Sequence, residues 1–321
     1  MPKVLVAART FGRYSQEPVN FLRKHDFEVI TFDKEDLSSV IGKVDALIVG
    51  TPKVTKGMLV NSRLKIIAKH GVGIDNIDLE AATELGIPVT IAQGANTDSV
   101  AELVIGFIFS LARNIVSAHV DVFQRHLWPN IVGTEIQGKT LGLLGFGSIA
   151  KEVAKRALCL GMNVVSYDPY VSEEEMQKAG VTSVDFGEIF KISDFVSIHV
   201  PLNEKTRNLV GEAELKTMKR TAFLINTARG GIIEEKNLIR ALKEKWIKGA
   251  ALDVFNEEPL NPNSELFTCE NVIMTPHMGA HTIEAIYRMN MMAAKAVVDF
   301  FEGRIPPHVV NKEVLSKLYR S

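Results

Sequence analysis

Three side chains of chemical interest follow directly on apolar, strand-like runs. Arg229 comes after AFLINTA, Glu258 shortly after GAALDVF, and His277 after VIMTP. A guanidinium, a carboxylate and an imidazole suit one reaction well: reduction of the carbonyl of a 2-oxo acid, or the reverse. The guanidinium offers a fork of donors that can hold a carboxylate and polarise the adjacent carbonyl. The imidazole titrates where it can give a proton to the carbonyl oxygen and take it back. A carboxylate beside the imidazole fixes its tautomer and favours its charged form. Arg229, Glu258 and His277 are therefore the candidate catalytic residues, Arg229 also the candidate substrate ligand, and Glu257 competes with Glu258.

Such a reduction needs a hydride, and an earlier segment has the form of a dinucleotide site. The run TLGLL leads into Gly145-Phe146-Gly147-Ser148-Ile149-Ala150 and then a helical stretch, KEVAKRALCLG. In a strand–turn–helix setting, Gly145 permits the tight turn, Gly147 lets backbone approach a pyrophosphate, and the small Ala150 lets helix pack on strand. The free amides at the helix start attract the phosphates. The next apolar run, NVVSYD, ends at Asp168. A carboxylate there accepts from a ribose hydroxyl and repels a ribose phosphate, which points to NAD rather than NADP.

The elements that must carry these residues follow from the pattern. Eleven short apolar runs alternate with helical stretches: residues 3–7, 27–32, 46–50, 64–68, 88–91, 140–147, 162–168, 195–200, 222–228, 249–255 and 272–276. Continuous apolar strands with helices between them imply parallel sheets covered on both faces. Eleven strands exceed one sheet of ordinary size, so the expected fold is α/β with two doubly wound parallel-sheet domains. One is a Rossmann-type cofactor domain over 97–285; the other, a flavodoxin-like substrate domain, combines 1–96 with 286–321. Near Gln93–Asn96 a helix begins, with Ser99 and Glu102 at capping-box spacing. A helix spanning Leu103 to Ala112 is expected to be buried, and another from Thr282 to Phe301 to return to the first domain. In doubly wound sheets ligands bind beyond the carboxyl ends of strands, which would gather Arg229, Glu258 and His277 beside the cofactor.

Composition narrows the classes. Of 321 residues, 46% are hydrophobic and 23% charged, and the formal net charge is −1. No global field draws nucleic acid or an anionic membrane. Cys159 and Cys269 lie outside any CxxC or metal-ligand spacing, so neither a disulfide framework nor a metal site is expected. The first residues read as a buried strand, and the longest apolar run, Leu103 to Ala112, falls far short of the ~20 residues that span a bilayer. A cytoplasmic protein is expected.

Several segments together resemble the D-isomer-specific 2-hydroxyacid dehydrogenases, and most of all the phosphoglycerate dehydrogenases among them. They are GVGIDNIDLEAAT (71–83), VGTEIQGKTLGLLGFGSIAKEVAKRA (132–157), YDP (167–169), HVPL (199–202), NTARGGIIEE (226–235), ALDVFNEEPL (251–260) and ENVIMTPHMGA (270–280). The resemblance implies Arg229, Glu258 and His277 as catalytic arginine, carboxylate partner and acid/base. It places cofactor contacts on Ser148, Ile149, Asp168, Val200, Thr227, Ala228, Asp253 and Gly279, and a substrate-carboxylate seat on the amides of Val72 and Gly73. It further implies a homodimer through the cofactor domain. Where similar phosphoglycerate dehydrogenases carry arginines near the substrate phosphate, this chain has Gly50 and Lys69, so Lys69 is a candidate substrate ligand. His281 stands where serine is common, and serine feedback is not expected from a chain ending at Ser321. His70 could touch substrate or cap a strand; His199 reads as structural; Trp128 could close a crevice or pack in a dimer arm. The implied substrate is a small 2-hydroxy or 2-oxo acid: 3-phosphoglycerate first, with glyoxylate or hydroxypyruvate reduction as the alternative. A formate or phosphite dehydrogenase and an NAD-sensing corepressor are the remaining rivals. Against the formate version, similar formate dehydrogenases carry glutamine at the position of Glu258.

Overall fold

The computed structural model describes residues 1–32 and 36–318. The chain divides into two compact units, Met1–Asn96 with the segment from Ala280 on, and Thr97–Gly279. The second crossing thus falls at Gly279/Ala280, ahead of the helix Ile283–Phe301, and not within it at 285/286 as expected. That helix is one continuous piece capped by Thr282, whose hydroxyl accepts from Ala285 N, and it belongs whole to the first unit.

In the first unit, β1 (Lys3–Ala7), β2 (Glu28–Thr31), β3 (Ala46–Val49), β4 (Ile66–Lys69) and β5 (Val89–Thr90) form a parallel sheet in the order β2-β1-β3-β4-β5. This is the flavodoxin-like order. Period-two alternation supplies both faces. Val4, Val6, Ala46 and Ile48 pack against the helices Glu17–Lys24 and Ile283–Phe301, while Leu5, Ala7, Leu47 and Val49 pack against Leu37, Leu59 and Ala81 on the other side.

The second unit holds β6 (Thr140–Leu144), β7 (Asn163–Tyr167), β8 (Thr182–Ser183), β9 (Phe195–Ile198), β10 (Phe223–Asn226), β11 (Gly249–Leu252) and β12 (Val272–Met274). They run in the order β12-β11-β10-β9-β6-β7-β8, again parallel. Read outward from β6 this is the Rossmann order with one added strand, and it reverses between β6 and β9. Leu141, Leu143, Phe195, Phe223 and Ile225 face the helices Thr97–Arg113 and Ser148–Cys159; Leu144, Val196, Ile198 and Leu224 face the opposite layer. All eleven apolar runs contain strands; β8 is the addition.

The helix starts directly after Gln93–Asn96, as expected, but the role of Ser99 differs. The helix begins at Thr97, which places Ser99 inside its first turn. Ser99 is buried, and its hydroxyl donates to Gly279 O at 2.6 Å, so it fastens a loop where capping was expected.

Candidate active site

The carboxyl ends of β10, β11 and β12 are neighbours in the sheet, and each continues into a loop bearing one of the three expected groups. His277 Nδ1 lies 2.6 Å from Glu258 Oε2. The other oxygen, Oε1, accepts from Phe255 N at 3.0 Å, which locks the carboxylate toward the ring. Burial pushes the Glu258 carboxyl up. The hydrogen bonds from His277 and Phe255, with the charges of His277 and Arg229, outweigh it and leave the group below the usual carboxylate range. Glu258 and not Glu257 is thus the partner of the imidazole.

Arg229 is fixed through its backbone. Asn226, fully buried at the end of β10, donates from Nδ2 to Arg229 O at 2.9 Å and accepts at Oδ1 from Ala228 N at 3.0 Å. Arg229 Nη1 donates to Ala228 O at 2.7 Å. The next residue must be glycine. A Cβ on Gly230 would stand 2.0 Å from the carbonyl carbon of Phe255 and 2.5 Å from Asn256 N. The loop carrying Arg229 therefore lies directly against the backbone leading to Glu258.

The loop of His277 is held from below. Asp253, buried past the end of β11, accepts at Oδ1 from Thr275 Oγ1 (2.5 Å) and Met278 N (2.8 Å), and at Oδ2 from Gly279 N (2.8 Å). Between those donors His277 adopts φ +51, a region non-glycine residues rarely visit. Asp253 and Gly279, both expected as cofactor contacts, are joined to each other here. Asn226 and Thr275 were missed by the sequence reasoning.

The glycine turn has the expected form. Gly145 has φ +95, and a Cβ on it would meet Val200 and the carbonyl of His199 at 2.9–3.1 Å. Gly147 precedes the helix Ser148–Cys159, and a Cβ there would meet nothing within 4 Å. The backbone of Gly147, with the amides of Ser148 and Ile149, thus borders open space at the positive end of a three-turn helix. Asp168 Oδ2 accepts from Phe146 N at 2.8 Å, and Oδ1 from Tyr170 N at 2.9 Å, which sets the carboxylate beside the turn. Thr227 Oγ1 is buried and has no hydrogen-bond partner among the described residues. Open space at Gly147, an acidic side chain one strand over and an orphaned hydroxyl beside Ala228 fit a dinucleotide. His199 follows β9, its Nε2 buried without a hydrogen-bond partner among the described residues, and burial lowers its pKa to about 4.

In the first unit, Lys69 ends β4. It is 8% exposed, and its ammonium donates to Gly50 O and to Asn76 Oδ1, both at 2.6 Å. Asn76 in turn donates to Gly50 O and Pro52 O. Lys69 so ties together the loops after β3 and β4. His70 Nε2 lies 2.6 Å from Asn290 Oδ1, and burial, the leading cause, lowers its pKa to about 4. Gly71 follows with φ +140, its carbonyl accepting from Ala92 N, and Val72 beyond it is exposed with Gly73 half-buried. His281, also in this unit, is near enough to His70 to act on its charge.

The helix Ile115–Phe123 buries none of its residues; Phe123 at its end is exposed, as are Leu127, Trp128 and Val132 beyond it. Among the described residues no cluster of His, Cys, Asp or Glu could hold a metal ion, and Cys159 and Cys269 are free. No single helix there is long and apolar enough to cross a membrane. Thr97–Arg113 and Ile115–Phe123 reach that length only as a pair bent by 63°.

Comparison with known proteins gives a consistent result. Residues 105–279 match the family described as D-isomer specific 2-hydroxyacid dehydrogenase, NAD binding domain. The chain is 45% identical to a glyoxylate reductase from Thermococcus litoralis over 288 residues, 86% of each chain. It is 44% identical to a D-3-phosphoglycerate dehydrogenase from Methanocaldococcus jannaschii over 305 residues, 91% of this chain but only 58% of that protein. Among solved structures, an NAD-dependent formate dehydrogenase from Staphylococcus aureus in complex with NAD superposes with a TM-score of 0.84 at 28% identity, covering 97% of this chain and 98% of that one.

Proposed function

Because this chain belongs to the D-isomer-specific 2-hydroxyacid dehydrogenase family and binds NAD, we propose that it interconverts a short, unphosphorylated 2-oxo acid and its D-2-hydroxy acid. The hydrogen-bonded pair of His277 and Glu258, with the charge of Arg229 acting on it, carries this reading. Bound NADH supplies the hydride. Arg229 holds the acid and polarises its carbonyl. With Nδ1 engaged by Glu258, the Nε2 edge of His277 delivers the proton to the carbonyl oxygen, and the adjacent carboxylate stabilises the charged ring that gives it. In the oxidative direction the neutral ring takes the proton back. The pyrophosphate would lie on the turn at Gly145, Gly147, Ser148 and Ile149. Asp168 would take the adenosine ribose, and Val200, Thr227, Ala228, Asp253 and Gly279 are the further cofactor contacts. In the first unit, Val72 and Gly73 are the proposed carboxylate seat.

An unphosphorylated substrate is supported by Lys69. The one cation expected to meet a phosphate is buried, and its ammonium is engaged by Gly50 O and Asn76 Oδ1. Glyoxylate and hydroxypyruvate are therefore placed ahead of 3-phosphohydroxypyruvate. We also propose a cytoplasmic homodimer through the cofactor unit, since a second copy would cover the apolar helix Ile115–Phe123 and the exposed Phe123 and Trp128.

The test follows absorbance at 340 nm: oxidation of NADH with a panel of 2-oxo acids, and reduction of NAD with formate and phosphite. Glyoxylate or hydroxypyruvate should give the highest kcat/KM, and H277A and R229A should each lose at least ~100-fold. Near-normal turnover by both variants would sink the assignment.

A further inference from the structure

We infer that the hydroxyl of Thr275 is a positioning group for the acid/base histidine, acting through Asp253. The inference rests on the functional reading above, since it presumes that His277 moves the proton. Thr275 Oγ1 donates to Asp253 Oδ1 at 2.5 Å, and Met278 N donates to the same oxygen at 2.8 Å. These two donors lie on either side of His277 in sequence, so a single carboxylate oxygen closes a ring around the histidine's backbone. Gly279 N on Oδ2 extends the strap by one residue, and His277 N donates to Thr275 O at 3.0 Å, tightening the turn from inside.

The strap opposes a real tendency. At φ +51 the backbone of His277 lies in the left-handed region, where an L-residue rests only if its surroundings hold it. His277 and Met278 are exposed, so packing cannot do the holding. Asp253 can, because it is almost completely buried and follows directly on β11. A charged acceptor makes stronger hydrogen bonds than a neutral one. The ring plane of His277, and with it the contact to Glu258, is thus set from a rigid strand end through three donors, and among the described residues Thr275 supplies the one side-chain donor to that carboxylate.

The hydroxyl can be removed at nearly constant shape. T275V keeps a β-branched side chain in an extended segment and removes only the donor. Its kcat is expected to fall about tenfold, because misplacement of a catalytic group by about an ångström costs up to ~100-fold. KM for the oxo acid and Kd for NADH, read by quenching of protein fluorescence, should stay within twofold. The solvent deuterium isotope effect on kcat should rise as proton transfer becomes slower. T275S, which restores the donor without the methyl group, should recover most of kcat.

Unchanged kcat in T275V overturns the inference. So does a T275S variant as slow as T275V, since the methyl group would then be what matters. A loss of rate that disappears at saturating NADH also overturns it, by placing the effect on cofactor binding. H277N, measured alongside, separates the levels. If H277N is inactive and T275V normal, the positioning role fails while the assignment of His277 stands; if H277N is active, the functional reading fails first.

Discussion

Two glycine-to-alanine substitutions, at Gly230 and Gly147, should fail in opposite ways. A Cβ on Gly230 would lie 2.0 Å from the carbonyl carbon of Phe255, 2.3 Å from its oxygen and 2.5 Å from Asn256 N. Ordinary contacts of this kind need ~3.5 Å, so one backbone segment must retreat by more than an ångström. No rotamer change can relieve it, since both parties are main chain. The segment on one side carries Arg229; the one on the other leads to Glu258 and hence to His277. G230A should therefore lower kcat by about 100-fold and destabilise the protein by ~1–3 kcal/mol. On Gly147 the added methyl meets nothing within 4 Å, and its φ of −77 suits any residue, so G147A should fold with an unchanged Tm. The methyl would instead occupy the space in front of the helix, and Kd for NADH should rise at least tenfold with kcat at saturation little altered. The assays are thermal denaturation, fluorescence titration with NADH and steady-state kinetics on both variants. A G230A enzyme with normal kcat and Tm would refute the packing argument, and a G147A enzyme with normal NADH affinity would refute the placement of the pyrophosphate.

Other expectations follow from the same geometry. E258Q keeps a group that can accept from Phe255 N but loses the charge facing His277, so kcat should fall by ~100-fold with Tm nearly unchanged; equal rates across the pH range would count against the pair. His70 and His199 both have pKa values lowered from 6.5 to about 4. As pH falls below 6.5 the unfolded chain takes up protons that these rings refuse, so stability drops through the window from 6.5 to about 4 and levels off below it. Each ring contributes at most ~3 kcal/mol to that loss, less where water reaches a partly exposed edge. H70Q should flatten the decline in Tm between pH 7 and 4.5, and an equally steep decline would refute the assignment. K69M would leave Gly50 O and Asn76 Oδ1 short of a buried donor, lowering stability by ~1–3 kcal/mol, whereas an unchanged Tm would mean the ammonium is not structural.

What could be read from the sequence, and what could not, separates along a physical line. The eleven apolar runs were legible because strands buried on both faces must be apolar at every position, whatever lies next to them. Thr182–Ser183 was not: two polar residues at a sheet edge, paired with Val165 and Ser166, carry no such imprint. Arg229, Glu258 and His277 were legible as candidates because a charged or titratable group just past an apolar run has no reason in packing to be there. Ser99 looked like a cap because its spacing to Glu102 is right, yet the helix began two residues earlier and gave its hydroxyl to Gly279 O instead.

The residues that escaped notice are of one kind. Asn226 and Thr275 lie at or just past strand ends, where a polar residue is unremarkable, and their partners are main-chain amides, carbonyls and a carboxylate brought in by the fold. Lys69 is the converse case: its charge drew it into the substrate site on paper, while its acceptors, a carbonyl after β3 and the side chain of Asn76, are identifiable only once the strands are laid side by side. A sequence displays what a side chain can donate or accept. Which acceptor it meets is decided by strand order and register. Catalytic groups, whose natural partners are ligands, therefore stand out in a sequence more clearly than the groups that hold them in place.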